Sequence, residues 1–401
     1  MHKANTESLA FIVVLAGVSA TLHIGKLPPA IPLLRDALGV TLVQAGLLLS
    51  AVQLAGMLLG VVVGLFAVTL GLRRSMILGV MLLGAASAAG GFSADAKDLL
   101  LLRFIEGFGF LLVVLPAPGL IRRFVPPDKL ALKLGFWGAH MPVGTALALL
   151  SGPWVMSLVG WRGWWWALAG VSMSMACLMF LTIPSDRSKE YAEVSSAKDN
   201  SGSWQHRLIL TLTSRDPWFI ALIFAMYSCQ WLAVIGFLPT IFEQAGFSSA
   251  FAGLVTAVVS LANILGNVGA GHLLHRQFSA LKLLRVAFFL MAICTLLAFG
   301  SVMNDLPVLR FVAVLFFSAI GGMIPAVLFS LAVQLAPNEQ TISTTVGWVQ
   351  QCSSAGQFVG PPLVAWAVVT IGGWGGIWMV ACAASLVGYT FASILNARNN
   401  L

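Results

Sequence analysis

The chain has 401 residues, of which 59% are apolar and only 9% charged, and its mean hydropathy is +0.94. A soluble globular protein carries about 25% charged residues, so a set of soluble domains is excluded, and the apolar content excludes a disordered chain. Five cysteines, an odd number and all inside apolar runs, exclude a secreted disulfide scaffold.

A helix crossing the hydrocarbon layer needs about 20 mostly apolar residues. In chain order, such runs fall at 8–32, 42–70, 75–95, 99–121, 134–158, 163–183, 217–241, 249–274, 284–303, 307–335, 343–371 and 374–395. Lipid cannot satisfy bare backbone groups, so runs this long and continuous predict helices and not barrel strands. The first run lacks a small-residue cleavage site after it and is read as a retained span. The expected class is an all-α polytopic membrane protein with twelve transmembrane helices. Arg73, Arg74, Arg122, Arg123, Arg187, Lys189, Arg276, Lys282 and most other cations gather on one side of this layout. Positive charge marks the cytoplasmic face, so both termini are expected in the cytoplasm, and the net charge of +8 needs no nucleic-acid partner.

The Ser-rich, mixed-charge stretch 184–216 divides the chain into an N-terminal six-helix bundle (1–183) and a C-terminal one (217–401), with 184–216 as a cytoplasmic linker. The two halves repeat. Arg103, Phe104 and Pro118 precede Arg310, Phe311 and Pro325 by 207 residues, and Ala45-Gly46-Leu47 precedes Ala252-Gly253-Leu254 by the same interval. Gly25 and Pro28 match Gly236 and Pro239 at 211, and Gly160-Trp161 matches Gly373-Trp374 at 213. Parallel six-helix repeats imply a solute pathway between them near the midplane.

The stretch Gly64 to Arg74, with Gly71, Arg73 and Arg74 in place, resembles the G-x-x-x-D-R-x-G-R-R loop of the major facilitator superfamily. Arg103-Phe-Ile-Glu106-Gly107-Phe-Gly109 resembles that family's R-x-x-x-G-x-G segment, and Gly138, Gly144 and Gly152-Pro153 resemble its fifth helix. LPPAIPLL at 27–34 and GWR at 160–162 are similar to the branch holding cyanate-permease-like and other small-anion transporters. The resemblance implies two pseudo-symmetric six-helix bundles, a monomer, and a central cavity lined by helices one, four, seven and ten with two, five, eight and eleven beside them. It also implies a gating loop at Gly64, Gly71, Arg73 and Arg74. Val68 and Thr69 stand where the loop usually has Asp and a basic residue, so the usual acidic latch is missing or rebuilt.

Charges inside a bilayer are expensive and point to function. Ser19, His23 and Lys26 form one stripe of helix one, with Lys26 just before a Pro28-Pro29 break that frees carbonyls. Lys26 reads either as an anion site or as a side chain reaching the outer surface. Arg103 and Glu106 stand at i, i+3, so they read as a structural ion pair or as a proton-exchanging site. Arg310 has Ala313 where a carboxylate would answer it, and a lone guanidinium suits an anion. His140 is a titratable candidate beside Pro142. Tyr227, Gln230 and Trp231 on helix seven, Asn263 on helix eight and Gln350 on helix eleven are candidate substrate contacts or interhelical glue.

Substrate binding is thus expected at His23, Lys26, Arg103, His140, Tyr227, Gln230, Trp231, Asn263, Arg310 and Gln350, and proton coupling at Glu106, His23 and His140. The sequence holds no phosphate loop, metal-ligand spacing or nucleophile elbow, so neither cofactor, metal nor enzymatic activity is expected. The reading is a secondary transporter of the bacterial inner membrane, moving a small anion by alternating access with proton-coupled uptake. The alternative is a proton-antiport exporter of a drug or metabolite.

Overall fold

The computed structural model describes residues 3–126, 133, 136–185, 204–301, 306–338 and 341–399, with backbone alone at 3–7, 64–69, 204, 343 and 399. Among the described residues the regular structure is helical. In chain order the helices are α1 (Lys3–Gly25), α2 (Ile31–Leu38), α3 (Leu42–Leu70), α4 (Leu72–Gly90), α5 (Ala96–Val114), α6 (Ala117–Phe124) and α7 (His140–Thr182). They continue with α8 (Trp204–Thr213), α9 (Arg215–Gln244), α10 (Ser249–His275), α11 (Ala280–Phe299), α12 (Pro307–Gly321), α13 (Met323–Gln334), α14 (Ile342–Ile371) and α15 (Gly376–Asn399).

Among the described residues eleven helical segments are long and apolar enough to cross a membrane, and the one at Phe136–Thr182 runs for 47 residues. A straight helix of that length would be about 70 Å long at 1.5 Å per residue, more than twice the hydrocarbon layer. It turns back instead at Gly160, whose φ of 68° and ψ of 178° lie where only glycine rests easily. A Cβ on Gly152 would sit 3.6 Å from the Trp164 ring, although twelve residues of straight helix would hold them about 18 Å apart. This segment therefore supplies two spans, bringing the total to twelve.

Several breaks follow from local chemistry. Pro28 and Pro29 end α1 and set a single 3-10 turn before α2, as their missing N–H groups require. The carbonyl of Lys26, left without a helical partner, accepts from the Trp164 indole at 3.2 Å. The fourth and tenth spans break at equivalent places: α5 gives way to α6 after Leu115, and α12 to α13 at Gly322. Thr41 and Gln44 form a reciprocal capping box at the start of α3, and Asp95 caps α5.

Part of the expected linker is ordered. α8 lies within 184–216 and packs on α9 and α14, and the Trp218 indole donates to the Leu212 carbonyl at 2.8 Å. Residues 186–203 lie outside the described residues.

The halves meet along two long seams, and the 3-10 turn at Pro28–Ala30 also packs on α9. On one, α3 runs against α14, with Gly46 facing Pro361 and Pro362, Gly56 facing Ser354 and Gly60 facing Gln351. On the other, the first arm of α7 runs against α10, where Gly253 faces Leu149 and Ser260 donates to the Pro142 carbonyl at 3.4 Å. Glycines at these points let two backbones approach as closely as membrane helices require.

Candidate functional site

The polar stripe on α1 turns into the N-terminal bundle. Lys26 donates to Glu106 of α5 and, at 3.0 Å, to Ser87 of α4, and its ammonium lies 4.7 Å from the centre of the Trp165 ring. The Arg103 guanidinium donates to the other Glu106 oxygen at 2.7 Å, to the His23 carbonyl at 2.5 Å and to the Leu48 carbonyl at 3.2 Å. His23 shares a hydrogen bond of 2.7 Å with Ser172 on the second arm of α7. Its Nδ1 is 3.7 Å from Glu106, close enough for charge interaction but too far for a hydrogen bond. Lys26, Arg103, Glu106 and His23 are all buried.

Two cations thus answer one carboxylate. With His23 neutral, the cluster carries one net positive charge. Arg103 Nη2 is buried without a partner, as is the Ser19 hydroxyl one turn before His23. A buried, unsatisfied charged donor is costly, so the free Nη2 is the atom here with most to gain from an incoming acceptor.

The C-terminal half keeps the architecture and loses the charge. At the repeat intervals, Phe237 stands in place of Lys26 and Ala313 in place of Glu106, and both are buried. Neutral hydrogen bonds take over. Asn263 donates to the Tyr227 hydroxyl at 2.9 Å and to the Ser318 carbonyl at 3.0 Å, and the Trp231 indole donates to the Ser318 hydroxyl at 3.4 Å. Gln230 accepts from Ser385 at 3.0 Å, and Ser385 is the repeat partner of Ser172. These four candidates knit α9, α10, α12 and α15 together.

The remaining candidates sit apart. His140 is buried with Nδ1 2.6 Å from the Trp137 carbonyl, and its ring stacks on Trp137 at 4.1 Å. Arg310, without a carboxylate partner in the sequence, finds a carbonyl: its Nε donates to Ala298 at 2.6 Å. It lies half-buried in the first turn of α12. Gln350 is half-buried on α14. In the expected gating loop, Gly71 joins α3 to α4 with φ 98°, and Arg73 donates to the Phe180 carbonyl at 2.6 Å. The side chains of Val68 and Thr69, and all but the backbone at Gly64, lie outside the described residues.

Gln351 links the halves. Its amide nitrogen donates to the Met57 carbonyl at 2.8 Å, and its oxygen accepts from the Val61 N–H at 3.1 Å. One carboxamide thereby bridges the donor and acceptor of a single i, i+4 step of α3. The sequence signals only a polar pair at 350–351 and does not say which of the two crosses the seam. Among the described residues no group of three His, Cys, Asp or Glu side chains is placed to hold a metal.

The family model described as Major Facilitator Superfamily matches residues 9–346 and again 220–398. The chain therefore belongs to the Major Facilitator Superfamily. It is 28% identical over 262 residues to the 2-nitroimidazole transporter of Escherichia coli (strain K12), covering 63% of each chain. It is 22% identical over 268 residues to the probable sulfoacetate transporter SauU of Cupriavidus necator, covering 64% of this chain and 62% of that one. The chain thus spans a little under two thirds of the length of these curated relatives. A bacterial homologue of the human lysosomal transporter Spinster, in an inward-facing and occupied conformation, superposes with a TM-score of 0.80 at 14% identity, over 99% of this chain and 98% of that one. At that identity the likeness establishes the fold.

Proposed function

We propose that this transporter carries a small organic or inorganic anion across the bacterial inner membrane by alternating access, as a monomer with both termini cytoplasmic, and that uptake is coupled to protons. The observation that carries the reading is the buried cluster of Lys26, Arg103 and Glu106, which holds one net positive charge and keeps Arg103 Nη2 without a partner. A positive interior attracts anions and repels organic cations. The likeness to a probable sulfoacetate transporter supports an anionic cargo, as does the resemblance of 27–34 and 160–162 to the small-anion branch of the family.

Coupling follows from charge. A proton on Glu106 raises the cluster from one net positive charge to two, which favours anion binding, and by linkage a bound anion favours the proton. His23, beside Glu106, is the second coupling candidate, and His140 the third. In this scheme Arg103 and Lys26 supply the attraction. Gln350 and the polar groups of α9 and α10 (Tyr227, Gln230, Trp231 and Asn263) shape the C-terminal wall, and Arg310 acts at the rim.

The test is flux of radiolabelled sulfoacetate into proteoliposomes holding the full chain, with and without an inward proton gradient. Accumulation against its gradient is expected, and Glu106→Gln should retain exchange but lose accumulation. Gradient-independent flux would remove the coupling scheme. Loss of preloaded solute driven by the proton gradient, with no uptake, would establish the exporter.

A further inference from the structure

The outer side of the C-terminal half carries a groove that is charged at one end and apolar along the rest. α9 packs against both α14 and α15, which touch each other less closely, so α9 floors a cleft between them. Where α9 starts and α15 ends there is a cavity of about 410 Å³, lined by Arg215, Trp218, Phe219, Leu222, Ile394 and Arg398 among others. The helical register sorts these groups by depth. Arg215, Trp218 and Leu222 stand at i, i+3 and i+7 on one stripe of α9, and Ile394 and Arg398 stand at i, i+4 on α15. The two helices run antiparallel here, so both arginines lie at the same end and the apolar groups lie deeper in the hydrocarbon layer.

Both stripes continue inward. Met226 on α9 and Val387 on α15, each eleven residues from its arginine, line a second cavity of about 520 Å³ together with Val359, Leu363 and Trp366 of α14. Eleven helical residues rise about 16 Å, which is close to half of a hydrocarbon layer about 30 Å thick. Val359 is 50% exposed and Trp366 59% exposed, so this wall faces lipid. The charged end is positive. Asp216 lies 3.5 Å from Arg398, whose guanidinium carbon is also 5.9 Å from the centre of the Phe219 ring. Arg215 is exposed and makes no ion pair among the described residues. Two arginines against one aspartate leave one net positive charge. Ser214, also in the cavity wall, turns its hydroxyl back to the Leu210 carbonyl at 2.7 Å, so no side chain caps the start of α9.

Paired guanidinium groups at a membrane surface match a phosphate, and an apolar trough about one leaflet deep matches an acyl chain. A soluble anion would use only the first feature, and a neutral lipid only the second. We infer that the groove of α9, α14 and α15 binds one anionic phospholipid from the leaflet on the side of the C-terminus. Its phosphate lies on Arg215 and Arg398, and an acyl chain follows Leu222 and Ile394 toward Met226 and Val387. The site is separate from the charged cluster of the N-terminal bundle and does not depend on the cargo.

The test is native mass spectrometry of the full-length protein, delipidated in detergent and titrated with phosphatidylglycerol, with phosphatidylcholine of the same chains, or with glycerol 3-phosphate. One phosphatidylglycerol should be retained, about fivefold more tightly than phosphatidylcholine, the effect of one basic residue at a membrane surface. Both arginines are exposed, so Arg215→Gln and Arg398→Gln should fold like the parent, and each should weaken phosphatidylglycerol binding about fivefold. Arg276→Gln, at an exposed arginine closing α10, should change nothing. Ile394→Trp, which fills the cavity with a ring, should weaken both lipids alike. Equal affinity for the two lipids, or equal losses in Arg215→Gln and Arg276→Gln, overturns the site, and so does an Ile394→Trp variant that binds like the parent. Displacement of phosphatidylglycerol by an equal concentration of glycerol 3-phosphate would reduce the groove to a phosphate site and overturn the lipid assignment.

Discussion

Glu106 is the residue on which the N-terminal bundle turns. It answers Lys26 through one oxygen and Arg103 through the other, so removing it strands two buried cations at once. Breaking a buried ion pair from one side costs about 3–5 kcal/mol, whereas removing both partners is often nearly neutral. Glu106→Ala should therefore lower thermal stability in detergent sharply, and Lys26→Met should restore part of the loss. A double-mutant cycle without coupling would show that the two do not act as a pair. Arg310→Ala is expected to do much less. From the first turn of α12 its guanidinium rests on the carbonyl of Ala298 at the end of α11, and a membrane-protein hydrogen bond of this kind averages about 0.6 kcal/mol. Flux of the variant should stay within about twofold of the parent, and complete loss would show that Arg310 binds the anion. The spacing of Ser19, His23 and Lys26 makes their shared face legible in the sequence. The direction of that face is not, because Lys26 and Glu106 are eighty residues apart and Ser87 and Ser172 come from two further helices.

At the scale of elements, hydropathy carried most of the information. Every expected span from the second to the twelfth overlaps an observed helix, because the requirement for about 20 apolar residues is a constraint on length and composition alone. What hydropathy could not register was backbone conformation. The fifth and sixth spans join through one residue with φ 68° and ψ 178°, and α8 within the linker is too short and polar to count as a span. Gly160 can therefore be tested against a neighbour. Gly160→Ala would place a Cβ in a region open almost only to glycine, at a cost of about 1–3 kcal/mol. Gly170→Ala, at a helical position with open space around its Cβ, should be neutral or stabilising by up to about 1 kcal/mol. Comparing the midpoints of thermal unfolding checks the pair, and equal shifts would mean that the turn at 160 is not held in this conformation.

The whole molecule is two bundles in contact along α3 with α14, along α7 with α10 and where the 3-10 turn at Pro28–Ala30 meets α9, and the proposed alternating access requires those bundles to move against each other. The α3–α14 seam is held by more than packing, since Gln351 occupies both the Met57 carbonyl and the Val61 N–H. It is also the place where a reversible bond fits. A Cβ on Gly60 would lie 3.4 Å from the Cβ of Gln351, near the spacing of about 3.5–4.5 Å that a disulfide spans. In a background without the native cysteines, the pair Gly60→Cys and Gln351→Cys should cross-link under mild oxidation, stop flux in proteoliposomes, and recover it on reduction. Each single variant separates the loss of the clamp from the lock. Gln351→Cys alone gives up two hydrogen bonds, together about 1 kcal/mol, and should still transport. If the cross-linked protein transports at the parental rate, then α3 and α14 travel together as a fixed hinge. The opening motion would then have to come from the α7–α10 seam, where Gly253 and Ser260 make the corresponding contacts, and from the contact of the Pro28–Ala30 turn with α9.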